Sequence, residues 1–397
     1  MSRNLGYRMS RNAVIVIALS LMLVAVGVVM LYSATAVMAE KSPKYNDSTW
    51  FLKRQLVWVL LGIAAMIVTA RVPYTFWERW RAPVLIGSLL LLALVFVPHV
   101  GVSLNAARRW IRVGGFFFQP SEAAKIAIAV FLAGFAAKDP ERMKKFLKGF
   151  VPAFATLGLC CAMIIVEPDI GTSVFIAVVM TCMLVVAGVR AAHLLPCIVV
   201  AGCLASYYAV THTEHVMARI QTYRHPEADP LGKGHQILQS LIALGSGGWA
   251  GEGLGRGIAK LYFLPEAHSD FILPVIGEEL GFAGTVSMVL MYMTLGFFGY
   301  RIMLRAKDRF GFLLAFSLTT YIILQAAMNV AVVTAAIPTK GIPLPFVSAG
   351  GSSVLFTLAG VGMLVSIANA SERGTCPEGD GASCLPAVVP AATSSPA

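Results

Sequence analysis

Residues 263–300 read FLPEAHSDFILPVIGEELGFAGTVSMVLMYMTLGFFGY. From Phe271 onward the run is apolar for the length of a membrane-crossing helix, because a hydrocarbon layer of ~30 Å takes about 20 residues at about 1.5 Å each. Against its start stand Glu266, His268, Asp270, Glu278 and Glu279, ionisable groups that a membrane helix does not need in order to fold. Counting from Tyr300 and Arg301, the crossing reaches the far hydrocarbon edge at roughly Gly281. Glu278 and Glu279 then lie at that edge. Asp270 lies about ten residues higher, roughly 15 Å above the edge and level with a lipid headgroup and what is attached to it. Gly277 and Gly281 have the spacing that lets helices approach closely, a packing reason for this part of the span.

The same reading extends to further apolar runs at 13–33, 55–70, 82–98, 120–137, 149–166, 171–189, 193–210, 311–335 and 347–369, with 271–300 as the eighth in order. Only helices and closed barrels satisfy their backbone in lipid, and runs of this length are helical. The chain of 397 residues, 57% hydrophobic and 13% charged, is therefore expected to be an all-α polytopic membrane protein of about ten transmembrane helices. Residues 1–12 form a cytoplasmic N-terminus and 13–370 the ten-helix membrane domain. Within that domain 211–270 is a large extracytoplasmic loop between helices 7 and 8, polar, with Pro226, Pro230 and Pro265 and a glycine cluster over 245–257. Residues 371–397, rich in Pro, Ala, Ser and Gly, read as a disordered cytoplasmic tail.

Basic residues set the orientation. With the N-terminus inside, more than half of the 31 Lys and Arg fall in inner loops and tails, including the loop KDPERMKKFLKG. The first span follows a basic N-terminus as a signal peptide does, but its length and the lack of a small-residue cleavage site read as a retained anchor. The net charge of +11 is met by anionic lipid on that inner face and calls for no nucleic acid. Five of the seven cysteines lie in spans, where they act as small apolar residues, and Cys376 and Cys384 lie in a tail assigned to a reducing compartment; no disulfide or metal framework emerges.

Several charged residues depart from this pattern at the outer ends of spans. NAARRWIRVGG puts Arg108, Arg109 and Arg112 in an outer loop, either snorkelling beside Trp110 or binding anionic oxygens as guanidinium forks do. QPSEAAKI follows, with Glu122 and Lys125 on one helical face as a self-satisfied ion pair or as part of a site. In VEPDIGTS, Asp169 either caps the next helix through Gly171 or Thr172 amides or faces the same site. IPTKGIPLPFVSAGGSS is a proline-stiffened loop, structural or ligand-binding, with a lone Lys340 and with Ser352 and Ser353 opening the last span beside amides suited to an anion. These clusters share one side, whereas a proton-coupled transporter tends to place its charges near the midplane. Group transfer from a lipid pyrophosphate fits: a base takes a proton from an attacking hydroxyl, and cations stabilise the departing phosphate.

NAARRWI, FQPSEAAKI, EPDIGTS, GHQILQSLIALGSGGWAGEGLGRGIAKLYFLPEAHSDF, IGEELGFAG and IPTKGIPLPFVSAGGSS together resemble the SEDS family of cell-wall polymerases over residues 13–370. PEAH and the lysine of IPTKGIPLPF resemble its division branch more than its elongation branch. The resemblance implies ten helices and a peptidoglycan glycosyltransferase, which polymerises lipid II into glycan strands on the outer face of the bacterial cytoplasmic membrane, at the division septum. It implies Asp270 as the catalytic base, with Arg108, Arg109 and Lys340 on the pyrophosphate, Glu122, Lys125 and Asp169 shaping the cavity, and Ser352 and Ser353 beside the substrate. A divalent cation, Mg or Mn, could share the pyrophosphate charge, although no carboxylate cage is visible in the sequence. The implied partners are lipid II, a class B penicillin-binding protein transpeptidase and other membrane proteins of the division machinery. Competing expectations are a lipid II flippase, an elongation polymerase, or a scaffold recruiting a transpeptidase. Ala349, Ser269 and His235 stand where the family often has Tyr, Thr and Tyr, and none of these changes removes a proposed charged residue.

Overall fold

The computed structural model describes residues 9–43, 46–98, 100–104, 107–211, 223, 226–228, 234–338 and 341–372. The ten expected spans each have a helix: α1 (Arg11–Lys41), α2 (Trp50–Arg71), α3 (Arg81–Leu94), α4 (Pro120–Lys138), α5 (Val151–Val166, entered through a π turn at Phe146–Phe150), α6 (Ile170–Val186), α7 (Ala191–Thr211), α9 (Ile272–Leu304), α10 (Arg309–Val333) and α11 (Gly351–Glu372). Among the described residues seven of them are long and apolar enough to cross a membrane, α5 counted with its π turn, while α3 and α6 are shorter apolar helices. The chain is a multi-pass membrane protein.

Burial sorts the helices into a centre and a rim. In their apolar windows α11 is 83% buried and α4 is 78% buried, against 22% for α2. Close backbone approach explains how α2 nevertheless holds α11. A Cβ on Gly362 would stand 2.0 Å from Thr69 Oγ1 and 2.3 Å from the Met66 carbonyl oxygen, so only glycine fits there, and the Thr69 hydroxyl donates to the Ala359 carbonyl at 2.9 Å. Without a hydrophobic drive between helices in lipid, such small-residue contacts and interhelical hydrogen bonds carry association.

Two local features interrupt the helical bundle. First, the loop after α3 folds as a three-stranded antiparallel sheet, β1 (Gly101–Leu104), β2 (Ala107–Val113) and β3 (Phe116–Phe118). The turn from β2 to β3 is Gly114–Gly115, both at positive φ (54° and 83°), which matches the twist of a tight hairpin. Phe116 packs edge-on to Trp58 at 5.8 Å, Phe118 packs on Phe356 at 5.7 Å, and Arg54 stacks over Trp50 and Phe116 at 4.6 and 5.1 Å. The sheet is thereby seated on α2 and α11.

Second, the eighth span is not one continuous helix. Gly281 (φ 68°, ψ −167°) breaks α9 into Ile272–Leu280 and Phe282–Leu304. The expected extracytoplasmic loop laces into this break. The freed carbonyls of Glu278 and Glu279 accept the N–H groups of Glu252 and Gly253, both at 3.0 Å, and the Phe282 and Ala283 amides donate to the carbonyls of Gly248 and Trp249 at 2.8 and 3.2 Å. A Cβ on Gly251 would lie 2.2 Å from the Glu279 carbonyl oxygen, so the glycine cluster exists to admit this exchange. A further helix, α8 (His235–Ser246), packs before it, its Ser240 hydroxyl on the Val333 carbonyl at 2.7 Å.

Candidate functional site

Asp270 ends a tight turn ahead of α9. The Glu266 carbonyl accepts from the Ser269 amide at 3.1 Å and from the Phe271 amide at 3.3 Å, a closure that holds Glu266 at φ 53°. Phe271, Ile272 and Leu273 then bury completely, so the turn cannot slide along the helix axis. The Asn329 side-chain amide of α10 donates to the Asp270 carbonyl and to the Ile342 carbonyl, both at 2.8 Å. That single NH2 group clamps the turn to the segment before α11. The Asp270 side chain is half-buried against Gly341, where a Cβ would come 2.8 Å from Oδ2. Burial, then the charges of Glu266 and Asp169, push its carboxyl up to about 7, with Arg109 opposing them. Next to it, burial lowers the His268 imidazole below its ordinary value against the pull of Glu266; its carbonyl accepts from the Ala349 amide at 2.9 Å.

An irregularity in β2 separates the two arginines: Trp110 pairs with Val102 and Arg108 with Ser103, which leaves Arg109 between them without a partner on β1. Arg109 donates to the Pro168 carbonyl and lies 3.7 Å from Asp169 Oδ1, its side chain one-third exposed. Arg108 instead reaches the Gly101 carbonyl at 3.4 Å. The two guanidinium groups thus have different backbone partners.

Asp169 is the N-cap of α6: Oδ1 accepts from the Thr172 amide at 3.2 Å and Oδ2 from the Thr172 hydroxyl at 2.8 Å and the Gln119 side chain at 3.3 Å. Its capping role and its ion pair occupy the same carboxylate. Ser352 is buried and accepts from the Gln119 amide at 3.3 Å, and the carbonyl of the equally buried Ser353 accepts from Thr357 at 2.7 Å. Both serines stand at the start of α11, and Ser352 joins that helix to Gln119. Lys340 lies outside the described residues.

Glu122 and Lys125 form a second, buried centre. Their contact of 2.7 Å has both side chains 4% exposed; the Tyr321 hydroxyl donates to Glu122 at 3.3 Å, and Lys125 donates to the Gln325 side chain at 3.4 Å and sits 4.8 Å above the Tyr321 ring. Gln325 also donates to the Pro343 carbonyl at 2.8 Å. Tyr321, Gln325 and Asn329, four residues apart, thus form a polar stripe on α10 running from this ion pair to the Asp270 turn. Residue-level reading missed the stripe, although its spacing in an otherwise apolar span was the available signal.

Of the carboxylates that opened the sequence reading, two belong to the α9 break. Glu278 accepts from the amides of Ile258 at 2.7 Å and Ala259 at 3.1 Å. Glu279 accepts from Lys260 at 2.6 Å, from the Ser33 hydroxyl at 2.7 Å and from the Gly255 amide at 3.0 Å. Glu167, two residues before Asp169, is fully buried with neither carboxyl oxygen partnered. Among the described residues no group of three His, Cys, Asp or Glu gathers as metal ligands.

A family model described as "Cell cycle protein", covering FtsW, RodA and SpoVE, matches residues 13–373. A probable peptidoglycan glycosyltransferase FtsW of Geobacter metallireducens is 42% identical over 369 residues, 92% of this chain and 98% of that protein. Stage V sporulation protein E of Bacillus subtilis is 38% identical over 357 residues, 90% of this chain and 97% of the relative. Among solved structures, a chain from a peptidoglycan synthase complex superposes with a TM-score of 0.72 at 24% identity, covering 90% of this chain and 98% of that one. The rod shape determining protein RodA of Thermus thermophilus superposes with a TM-score of 0.62 at 24% identity, covering 89% and 95%. These superpositions establish the fold.

Proposed function

The chain belongs to the FtsW, RodA and SpoVE family of cell cycle proteins, and from that premise we propose that it is a peptidoglycan glycosyltransferase that polymerises lipid II into β-1,4 glycan strands at the outer face of the cytoplasmic membrane during division. Asp270 takes the proton from the 4-hydroxyl of the acceptor N-acetylglucosamine. The freed oxygen attacks C1 of the donor N-acetylmuramic acid from the face opposite the pyrophosphate. The bond from C1 to the phosphate oxygen breaks, undecaprenyl pyrophosphate departs with the bonding electrons, and the α-linked donor becomes a β-linked product.

Asp270 carries this reading. A half-buried carboxyl brought to about 7 is matched to accepting a proton near neutral pH. Its turn is clamped by Asn329, so the base is held rather than free to swing. Among the described residues Arg109 is the cation whose charge acts on Asp270, and its partly exposed guanidinium is suited to exchange the Pro168 carbonyl and Asp169 for phosphate oxygens. Arg108 and Lys340 join Arg109 on the pyrophosphate. Glu122 and Lys125 act from inside the bundle by holding α4 against α10. Ser352, Ser353 and Asp169 shape the floor through Gln119 and the α6 cap. Residues 1–12 and 371–397 lie in the cytoplasm, the Asp270 end faces outward, and a class B penicillin-binding protein and other division proteins assemble with the 13–370 domain at the septum.

The test uses purified full-length protein in a bilayer with labelled lipid II, alone and with its penicillin-binding partner. Wild type is expected to yield glycan strands, and Asp270→Asn to lower polymer by at least about a hundredfold without changing the melting temperature. Equal polymer from both would remove Asp270 from its role as base. Translocation of lipid II without polymer would favour a flippase.

A further inference from the structure

The segment that laces the break in α9 has a second side, and its height in the bilayer is fixed by the hydrogen bonds already described. Below Gly281, the helix Phe282–Leu304 spans about 34 Å at about 1.5 Å per residue, enough for one hydrocarbon layer of ~30 Å. Its outward side carries exposed Phe282, Leu290, Met293 and Phe297, the surface that a multi-pass protein turns to acyl chains. The break therefore sits at one edge of the hydrocarbon. Backbone bonds from Gly248, Trp249, Glu252 and Gly253 to residues 278–283 hold the glycine-rich tip at that same level.

What the tip presents outward is apolar. Trp249 is 80% exposed and meets Phe282 edge-on at 5.2 Å, extending the lipid-facing surface of α9 without a gap. Leu254, Ile258 and Phe263 are exposed beyond it. In α8, Ile237, Ser240 and Ala243 are buried against the bundle, while Leu241 and Ile242 face away. Exposed Glu252 and Arg256 stand beside these residues, at the level where charged groups meet water and headgroups.

We propose that residues 235–263 form an interfacial membrane element, with α8 and the glycine-rich tip lying in the acyl–headgroup boundary of one leaflet and Trp249, Leu254 and Ile258 inserted into it. The partner is the lipid surface itself. Continuity with the lipid-facing side of α9 argues for lipid over a protein partner, and the mix of tryptophan, aliphatic and flanking charged residues suits this boundary. The element is then the fixed end of a short lever. Lipid holds the tip, the tip holds the break through Glu278 and Glu279, and the helix Ile272–Leu280 carries the Asp270 turn above it.

The test measures tryptophan quenching in full-length protein in nanodiscs, with acyl chains brominated near the glycerol end or near the methyl end, and with aqueous iodide. The Trp249 signal is the difference between wild type and Trp249→Phe. It should be quenched about twofold by the shallow bromines, less by the deep ones, and little by iodide. Quenching by iodide alone would put the tip in water, quenching by neither would mean that protein covers it, and stronger quenching by the deep bromines would make the segment transmembrane; each result overturns the proposal. Leu254→Trp in the Trp249→Phe background should restore a signal with the same shallow profile, and an iodide-quenched signal there would also overturn it. Neither readout depends on glycan synthesis, so failure here is separable from failure of the polymerase reading.

Discussion

At the scale of single residues, the environment of each carboxyl decides its protonation and so its use. Asp270 must be ionised to act as a base, so activity is expected to rise with pH through about 7 and then level off. Glu266 contributes to that elevation by like-charge repulsion. Glu266→Gln should therefore move the acid limb of the kcat/KM profile down by roughly 0.5–1 unit, and an unmoved limb would remove Glu266 from the electrostatics of the base. Glu167 behaves oppositely, as a group the fold keeps neutral. Burial, with Asp169 adding and Arg109 opposing, pushes its carboxyl up to about 8 from an ordinary 4.5. The folded state thus holds a proton that the unfolded chain releases. Stability from this source is complete below the unfolded value and is lost as pH climbs through the folded one. Glu167→Gln, which stays neutral, should flatten the fall of melting temperature between about pH 5 and about pH 8.5, standing a few degrees above wild type at the upper end. Identical pH dependence in the two proteins would show that Glu167 finds partners when ionised.

At the scale of elements, the α9 break shows how a membrane protein tolerates irregular backbone: the carbonyls of Glu278 and Glu279 and the amides of Phe282 and Ala283 are taken up by another part of the same chain. Lys260 and Glu279 pin that arrangement with both side chains nearly inaccessible, 5% and 0% exposed. Lys260→Met would leave the Glu279 carboxylate buried with only the Ser33 hydroxyl and the Gly255 amide, an expected loss of about 3–5 kcal/mol. Adding Glu279→Gln should recover much of that loss, because the stranded charge is gone. Thermal unfolding in detergent distinguishes these outcomes; additive losses in the double variant would refute coupling between the two residues. The sheet makes the same point on a smaller scale. Its Gly114–Gly115 turn was present in the sequence as a hairpin signal, but between apolar spans the segment read only as an outer loop.

At the scale of the whole molecule, ten apolar helices and the distribution of Lys and Arg predict both ends of the chain on one side. The described contacts at the end away from Asp270 agree with a single rigid floor there: Ser10 donates to Asn369 at 3.0 Å, Ser366 to Val72 at 2.8 Å, and Arg309 to Ala187 at 2.7 Å. Alkaline phosphatase fused after Glu372 should be inactive in cells, whereas fusion after Thr211 should be active; the reverse pattern would invert the proposed topology and take Asp270 away from an external substrate. The number and order of spans were legible in the sequence because an apolar run in lipid has one way to satisfy its backbone, by hydrogen bonds within its own segment. Asp270, Arg109, Glu122, Lys125 and Asp169 were legible as candidates because ionisable groups at span ends are costly and therefore conspicuous. What each of them does was not legible, since a side chain's partner is set by chain segments far apart in sequence. Lys125 meets Gln325 and Glu122 meets Tyr321 across about half the chain, Arg109 turns to the α6 cap while Arg108 meets the Gly101 carbonyl, and Glu278 and Glu279 are used up by a loop that closes a broken helix. Lipid and local hydrogen bonding fixed the helices; only the packing of one helix on another decided which charges satisfy the fold and which carboxyls, Glu167 inside the bundle and Asp270 at its rim, stand without such a bond among the described contacts.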